Sequence, residues 1–431
     1  MQVLNKEKFT HYKTNFGDLY IAGRLSLEIS EVSSSLDAGK FPKHLRGNFA
    51  LIYISPTVSC YAVDHFGTIP LFYTDKVVGT YYIDVRNSIV DPKVNELEQE
   101  MINVHGGYNF GKYTNIEGLL RVEPCTYVWN GVTERFSSVL QRELNEFDPV
   151  HCQELFKAAI DRCTGANNTL FLSGGKDSST IAGCMKHWDY NFNTISLYSP
   201  HQQYSEKKVV ERLDEFYNIK TEYVEIEYSG KILNGLNDRF FSFWVENPFG
   251  AKRAAIKKLG LEQNTQITGE GGPLVFQHKM PLTYAIQSPN ATIKDYCKTL
   301  AIDTITNHKI ASPNVAYIWE DRIHLVEKIA DYYVEQYESF GDADYTNRLL
   351  HLQTVDTCAY RNFAYSQDNE ITWTHPYFDW DFVYYVCNLA PKYKTGKLLF
   401  KESFGDFIST IPWEYPKNGL SIPSRNKYRN N

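Results

Sequence analysis

The first 145 residues run in short β-branched and aromatic stretches broken by turn residues. NFALIYI (48–54), CYAVDHF (60–66), LFYTD (71–75), TYYIDV (80–85) and CTYVWNG (125–131) each read as a strand. The pattern changes at FDPVHCQELFKAAIDRC (147–163), which reads as a helix, so a boundary is expected between Asn145 and Pro149. Strands and helices then alternate. NTLFLS (168–173), FNTISLYS (192–199), KTEYVEI (220–226) and TQITG (265–269) read as strands. Residues 177–188, SEKKVVERLDEFYN (205–218) and GKILNGLNDRFFSFW (230–244) read as helices; in the second of these Val209, Val210, Leu213 and Phe216 share one side. From about 290 the patterns are mainly helical, as in YIWEDRIHLVEKIADYYVEQY (317–337) and LLFKESFGDFIST (398–410). The predicted fold class is α/β: a β-rich front domain (1–147) followed by a domain (148–431) with a parallel sheet wrapped by helices and a helical C-terminal part.

The candidate chemistry starts at SGGKDSS (173–179), between a predicted strand and a predicted helix. In an open parallel sheet, ligands sit beyond the carboxyl ends of the strands. Gly174 and Gly175 let backbone N–H groups approach an anion, Ser173 and Ser178 add hydroxyls, and the helix N-terminus favours negative charge. The loop therefore suits phosphate groups, although GxxxxGK[ST] is missing. Asp177 would repel a bare phosphate. It fits a site where Mg²⁺ lies between carboxylate and phosphate, or else it is an N-capping Asp in a Gly-Ser turn.

Composition narrows the class. The chain has 431 residues, 43% hydrophobic and 22% charged, as a soluble globular protein of two or more domains does. Its net charge of −7 gives no overall basic field for nucleic acid, so a nucleic-acid partner is not expected. No apolar run is long enough for a membrane span, and MQVLNKEKFTHYK has no signal core. The eight Cys stand singly, without CxxC pairs or zinc-like spacing, as buried thiols of a cytoplasmic protein would. Nothing sets the oligomeric state.

SGGKDSS resembles the pyrophosphate-binding loop of the ATP pyrophosphatases, and the rest of the chain narrows this to the asparagine synthetase family. LRGNFALIY (45–53), DHFGTIPLFY (64–73) and IEGLLRVEPCTYV (116–128) resemble segments of that family's amidotransferase-like domain. ITGEGGPLVF (267–276) is similar to its SGEGxDE loop, HPYFDWDFV (375–383) to xPFLDxxF, GKLLFKESF (396–404) to KxxLRxxF, and PKNGLSIP (416–423) to PKxGFxxP. The motifs keep the family's order. The resemblance implies an ATP-dependent ligase that adenylates a small-molecule or peptide carboxylate, releases pyrophosphate, and passes the acyl group to an amine with loss of AMP. By the same resemblance Ser173, Gly174, Gly175 and Ser178 hold pyrophosphate, and Asp177 binds Mg²⁺. Backbone near Leu172, Leu197 and Gly269 frames the adenosine of ATP. Lys397 stabilises developing charge, and Glu270 binds or deprotonates the amine. Lys417 matches the late motif's lysine, with a surface lysine as its other reading. Glu206 reads as a first-turn carboxylate rather than a metal ligand.

Three departures carry expectations of their own. Glutamine-using members place Cys directly after the initiator Met, where this chain has Gln2, and only about 45 residues precede LRGNF. No glutaminase activity is expected, and the front domain resembles the vestigial one of β-lactam synthetases and lasso-peptide cyclases; the amine is ammonia or one borne by the substrate. Pro273 and Leu274 stand where the family has Asp-Glu, so Asp177 loses its usual second carboxylate: either another acid substitutes, or Glu270 turns toward the metal, or catalysis is impaired. Lys401 replaces the usual Arg, keeping charge without the planar fork. Two other readings remain: an ATP pyrophosphatase that modifies a nucleobase or tRNA, and a non-catalytic scaffold.

Overall fold

The protein was analysed as a computed structural model, which describes residues 1–105, 111–198, 207–225, 248–272, 292–309, 323–349, 351–352, 365–368, 370–394 and 398–414. The front half is built from two sheets. The larger holds, in spatial order, β10 (Val132–Arg135), β9 (Thr126–Trp129), β5 (Ser59–Val63), β4 (Gly47–Ile54), β3 (Asp18–Leu25) and β2 (Thr10–Lys13), all antiparallel. The smaller runs β1 (Gln2–Val3), β7 (Val77–Gly79), β6 (Phe72–Tyr73), β8 (Leu120–Arg121).

Alternation along β4 explains the layering, since successive side chains point to opposite faces. Phe49, Leu51 and Tyr53 pack with Leu19, Ile21 and helix α1 (Ile29–Asp37) through Val32 and Leu36. Ala50 and Ile52 face the second sheet and meet Val3, Tyr73 and Val78. Beyond that sheet, Phe72 and Val77 pack on helix α2 (Tyr82–Asn87) through Tyr82 and Val85. The order is therefore helix, sheet, sheet, helix. TYYIDV corrects one expectation. Its β-type composition predicts a strand, but tertiary context wins: Tyr82 and Val85, three apart, share a helical face buried on the sheet. Helix α3 (Glu96–His105) follows.

Helix α4 (Pro149–Cys163) opens the second half, with Asp148 accepting the Val150 and His151 amides and Pro149 in the first turn. Then come β11 (Asn168–Phe171), α5 (Lys176–His187), β12 (Asn193–Tyr198), α6 (Lys207–Tyr217), β13 (Thr221–Glu225), α7 (Pro248–Leu259), β14 (Thr265–Ile267), α8 (Ile293–Lys309), α9 (Ile323–Ser339), β15 (Trp373–Thr374), α10 (Trp380–Cys387), α11 (Pro391–Lys394), α12 (Leu398–Phe404) and α13 (Ile411–Glu414). Helix α12 stops at Phe404, short of the predicted 410, with Gly405 beginning a turn. The predicted helix at 230–244 lies outside the described residues.

The five strands β13-β12-β11-β14-β15 form a parallel sheet. Leu170 faces a core shared with α4, α5 and α6, while Phe171 faces the opposite layer with α7 residues Ala255 and Ile256. The fold class is thus α/β, as the sequence implies. The central strand β11 has β12 on one side and β14 on the other. That places the loops after β11 and β14 side by side at the carboxyl edge, where such sheets bind ligands.

The halves are stitched together by the 375–382 segment. Asn48 Nδ2 donates to the Phe378 carbonyl at 2.7 Å, and Asn48 Oδ1 accepts the Trp380 amide at 2.9 Å. The buried Asp379 carboxylate takes two 2.6 Å bonds from the Arg162 guanidinium, and Arg24 reaches Asp381 at 3.0 Å. Front-half residues Phe66, Val139 and Leu140 complete the second half's core.

Candidate active site

The loop after β11 is knotted by its own serines. Ser173 N–H donates to Ser178 Oγ at 3.1 Å, and the two hydroxyls lie 3.2 Å apart. Gly174 takes a φ of +67°, which lets the chain turn between strand and helix. The N-cap of α5 is Gly175, with no side-chain cap. Asp177 sits inside the first turn, so its reading as an N-capping residue is overturned. The Leu172 side chain is buried in the core and its amide bonds the Ile195 carbonyl at 2.9 Å; Leu197 is half-buried against the other layer.

The loop after β14 closes on the first. A Cβ on Gly269 would lie 2.9 Å from the Ser178 nitrogen, and one on Gly272 only 2.5 Å from Asp177 Cγ. Real Cβ atoms do not come so close, so both positions require glycine for the two loops to touch. Asp177 is held from a third side, where the fully buried Tyr377 donates its hydroxyl to the Asp177 carbonyl at 2.9 Å. The structure brings together Ser173, Gly174, Gly175, Asp177, Ser178 and Gly269, contributed by two loops nearly a hundred residues apart in sequence.

Glu270 occupies a cluster that the sequence does not announce. Lys252 of α7 lies 3.3 Å from its Oε1, Tyr365 donates to the same oxygen at 3.1 Å, and Lys252 also donates to the Tyr365 hydroxyl at 2.6 Å. The Glu270 amide donates to Thr268 Oγ1 at 3.2 Å, and that hydroxyl lies 2.7 Å from His375 Nδ1. Burial pushes His375 down to about 3, so the imidazole is neutral at physiological pH. Lys252 sits in a helix with several other cations, and nothing in its local pattern singles it out. His375 and Tyr377 lie inside HPYFDWDFV and could have been found there.

Lys397, Lys417, Glu206, Pro273 and Leu274 lie outside the described residues. Among the described residues no group of three or more His, Cys, Asp or Glu is arranged to hold a metal ion. The loop still fits Mg²⁺ on its donor set, because that ion commonly uses one or two carboxylates and takes its other oxygens from phosphate and water. Among the described residues no helix is long and apolar enough to cross a membrane. The described cysteines are free, and burial raises every one of their pKa values.

Among solved structures, the chain is similar to an ammonia-dependent NAD synthetase from Campylobacter jejuni subsp. jejuni NCTC 11168, at 13% identity and a TM-score of 0.26 over 43% of this chain and 94% of that one. It is similar to an NMN synthetase from Francisella tularensis at 14% identity and 0.25, over 52% and 97%. A NAD+ synthetase from Burkholderia pseudomallei gives 14% and 0.22, over 44% and 92%. No curated protein matches the chain. The model of the asparagine synthase family matches residues 151–431, which is more than half of the sequence and takes in both loops and the Glu270 cluster. The chain belongs to the asparagine synthase family, whose members are ATP-using, amide-forming ligases.

Proposed function

We propose that this protein adenylates a carboxylate with ATP and transfers the acyl group to ammonia or to an amine carried by a substrate, without hydrolysing glutamine. The observation that carries the reading is the seating of Gly272 against the Asp177 carboxylate beside the Ser173–Ser178 knot. Two loops are built around one acid at the edge of a parallel sheet, where an anion-binding helix begins. In the first step a carboxylate oxygen bonds to the α-phosphorus, and the bond to the bridging oxygen of the β-phosphate breaks. Ser173, Ser178 and the backbone of Gly174 and Gly175 bind the departing pyrophosphate. Mg²⁺ held by Asp177 would neutralise phosphate charge. In the second step the amine nitrogen bonds to the acyl carbon, the bond to the AMP oxygen breaks, and Glu270 takes the proton the amine loses. Lys252 and Tyr365 fix the direction of that carboxylate. Lys397 is assigned to charge stabilisation on its motif alone.

The front half, 1–147 in this reading, is a vestigial amidotransferase-like domain. Its described cysteines, Cys60 and Cys125, are raised by burial, Cys125 to about 12, which is the opposite of an activated thiolate. Calorimetry with ATP and Mg²⁺ tests the nucleotide site. The wild type should bind, and Asp177→Asn should weaken binding at least tenfold while the melting temperature holds. Equal binding by wild type and variant would remove Asp177 from the site.

A further inference from the structure

Tyr377 touches both loops of the candidate site. Its hydroxyl donates to the Asp177 carbonyl at 2.9 Å, in the first turn of α5. At the other end of the side chain, its Cβ lies against the loop after β14, where a Cβ on Gly271 would stand 3.1 Å from it. The ring between these ends is fully buried. It stacks on Phe156 of α4, with centroids 5.1 Å apart, and meets Phe400 of α12 edge-on at 6.0 Å. Close packing of this kind holds a side chain in one rotamer, so the place of the hydroxyl is set by the core of the second half.

What the hydroxyl holds is the acid. One methylene joins the Asp177 carboxylate to its backbone, so fixing that peptide leaves the carboxylate a small set of rotamers. The peptide is gripped from two sides: Tyr377 bonds the carbonyl oxygen, and a Cβ on Gly269 would lie 3.3 Å from the carbonyl carbon. A metal held by one protein carboxylate goes where that carboxylate goes. Here Pro273 and Leu274 replace the family's Asp-Glu, and Glu270 is engaged by Lys252 at 3.3 Å and Tyr365 at 3.1 Å. The motif xPFLDxxF, which HPYFDWDFV resembles, has Phe in the place of Tyr377 and so lacks the hydroxyl.

We infer that Tyr377 is a positioning residue for the metal-binding acid: its hydroxyl sets the place of the Asp177 carboxylate, and through it the grip of the site on magnesium-bound ATP. The inference rests on the reading of Asp177 as the Mg²⁺ ligand. It adds a contact that acts on nucleotide affinity through the metal, without touching the nucleotide.

Calorimetry of the full chain tests it with Tyr377→Phe, which keeps the buried ring and removes the hydroxyl. The variant should stay folded, as its melting curve checks, and bind MgATP about fivefold more weakly than the wild type, the effect of losing one hydrogen bond. With EDTA in place of Mg²⁺ the loss in ATP affinity should shrink to under about twofold, and it should do the same with MgATP in an Asp177→Asn background. A hydroxyl that served the fold alone would weaken binding to the same extent in all three settings. The inference is overturned if folded Tyr377→Phe binds MgATP as the wild type does, or if its loss persists in full with EDTA or beside Asp177→Asn. Failure of the wild type itself to bind MgATP would remove the nucleotide site, and this inference with it.

Discussion

Asp177 and Gly272 meet so closely that no methyl group fits between them. Gly272→Ala would place a Cβ 2.5 Å from Asp177 Cγ, forcing the carboxylate or the loop aside. ATP affinity should fall at least tenfold in a binding titration, as much as in Asp177→Asn, and a variant that binds normally would show that the loops are not seated as described. Glu270 acts later in the proposed sequence, so its variant should separate the half-reactions. Glu270→Gln should keep carboxylate-dependent exchange of pyrophosphate into ATP and lose amide formation by about 10²- to 10⁴-fold. Equal loss of both would move Glu270 to the first step. At this scale Asp177 and Glu270 were legible because each lies in a motif. Lys252 and Tyr365 were not, because their contacts with Glu270 come from distant segments whose local sequence is unremarked.

The 375–382 segment is the element on which the assembly turns. It carries Tyr377, which bonds the Asp177 carbonyl, and it is clamped by Asn48 from the front half. Asn48→Ala would leave the Phe378 carbonyl and the Trp380 amide without that side-chain partner, at a cost of about 1 to 3 kcal/mol. Urea denaturation should show this, together with weaker ATP binding than the wild type; a stability change of zero would mean that the clamp is idle. The alternating strands and helices after Pro149 were readable because burial on one face imposes clear periods of two and 3.6. Helix α2 was misread as a strand because only the long-range packing of Tyr82 and Val85 tells β-rich composition from a helical face. The neighbouring of β11 and β14 is a matter of topology, on which local patterns are silent.

The whole molecule carries buried histidines that shape its response to acid. Burial holds His375 near 3 and His65 near 4, and takes His351 well below its usual value. Each is neutral in the folded state, whereas the unfolded chain binds its protons around pH 6.5. The unfolded state therefore gains protons first as pH falls, and stability is lost from about pH 6.5 down toward 4, by up to ~1.4 kcal/mol per pH unit for each such histidine. Denaturant midpoints at pH 7.5 and 5 should differ accordingly, and His375→Phe should flatten the slope; a flat wild-type profile would contradict the neutral burial.

Adenylation itself is read most directly by following oxygen. Turnover of ATP with ¹⁸O-labelled carboxylates, spanning amino acids, β-amino acids and peptides, should yield AMP and pyrophosphate, with one labelled oxygen carried from the carboxylate into AMP. Release of ADP and phosphate, or AMP without label, would contradict attack by a carboxylate at the α-phosphorus.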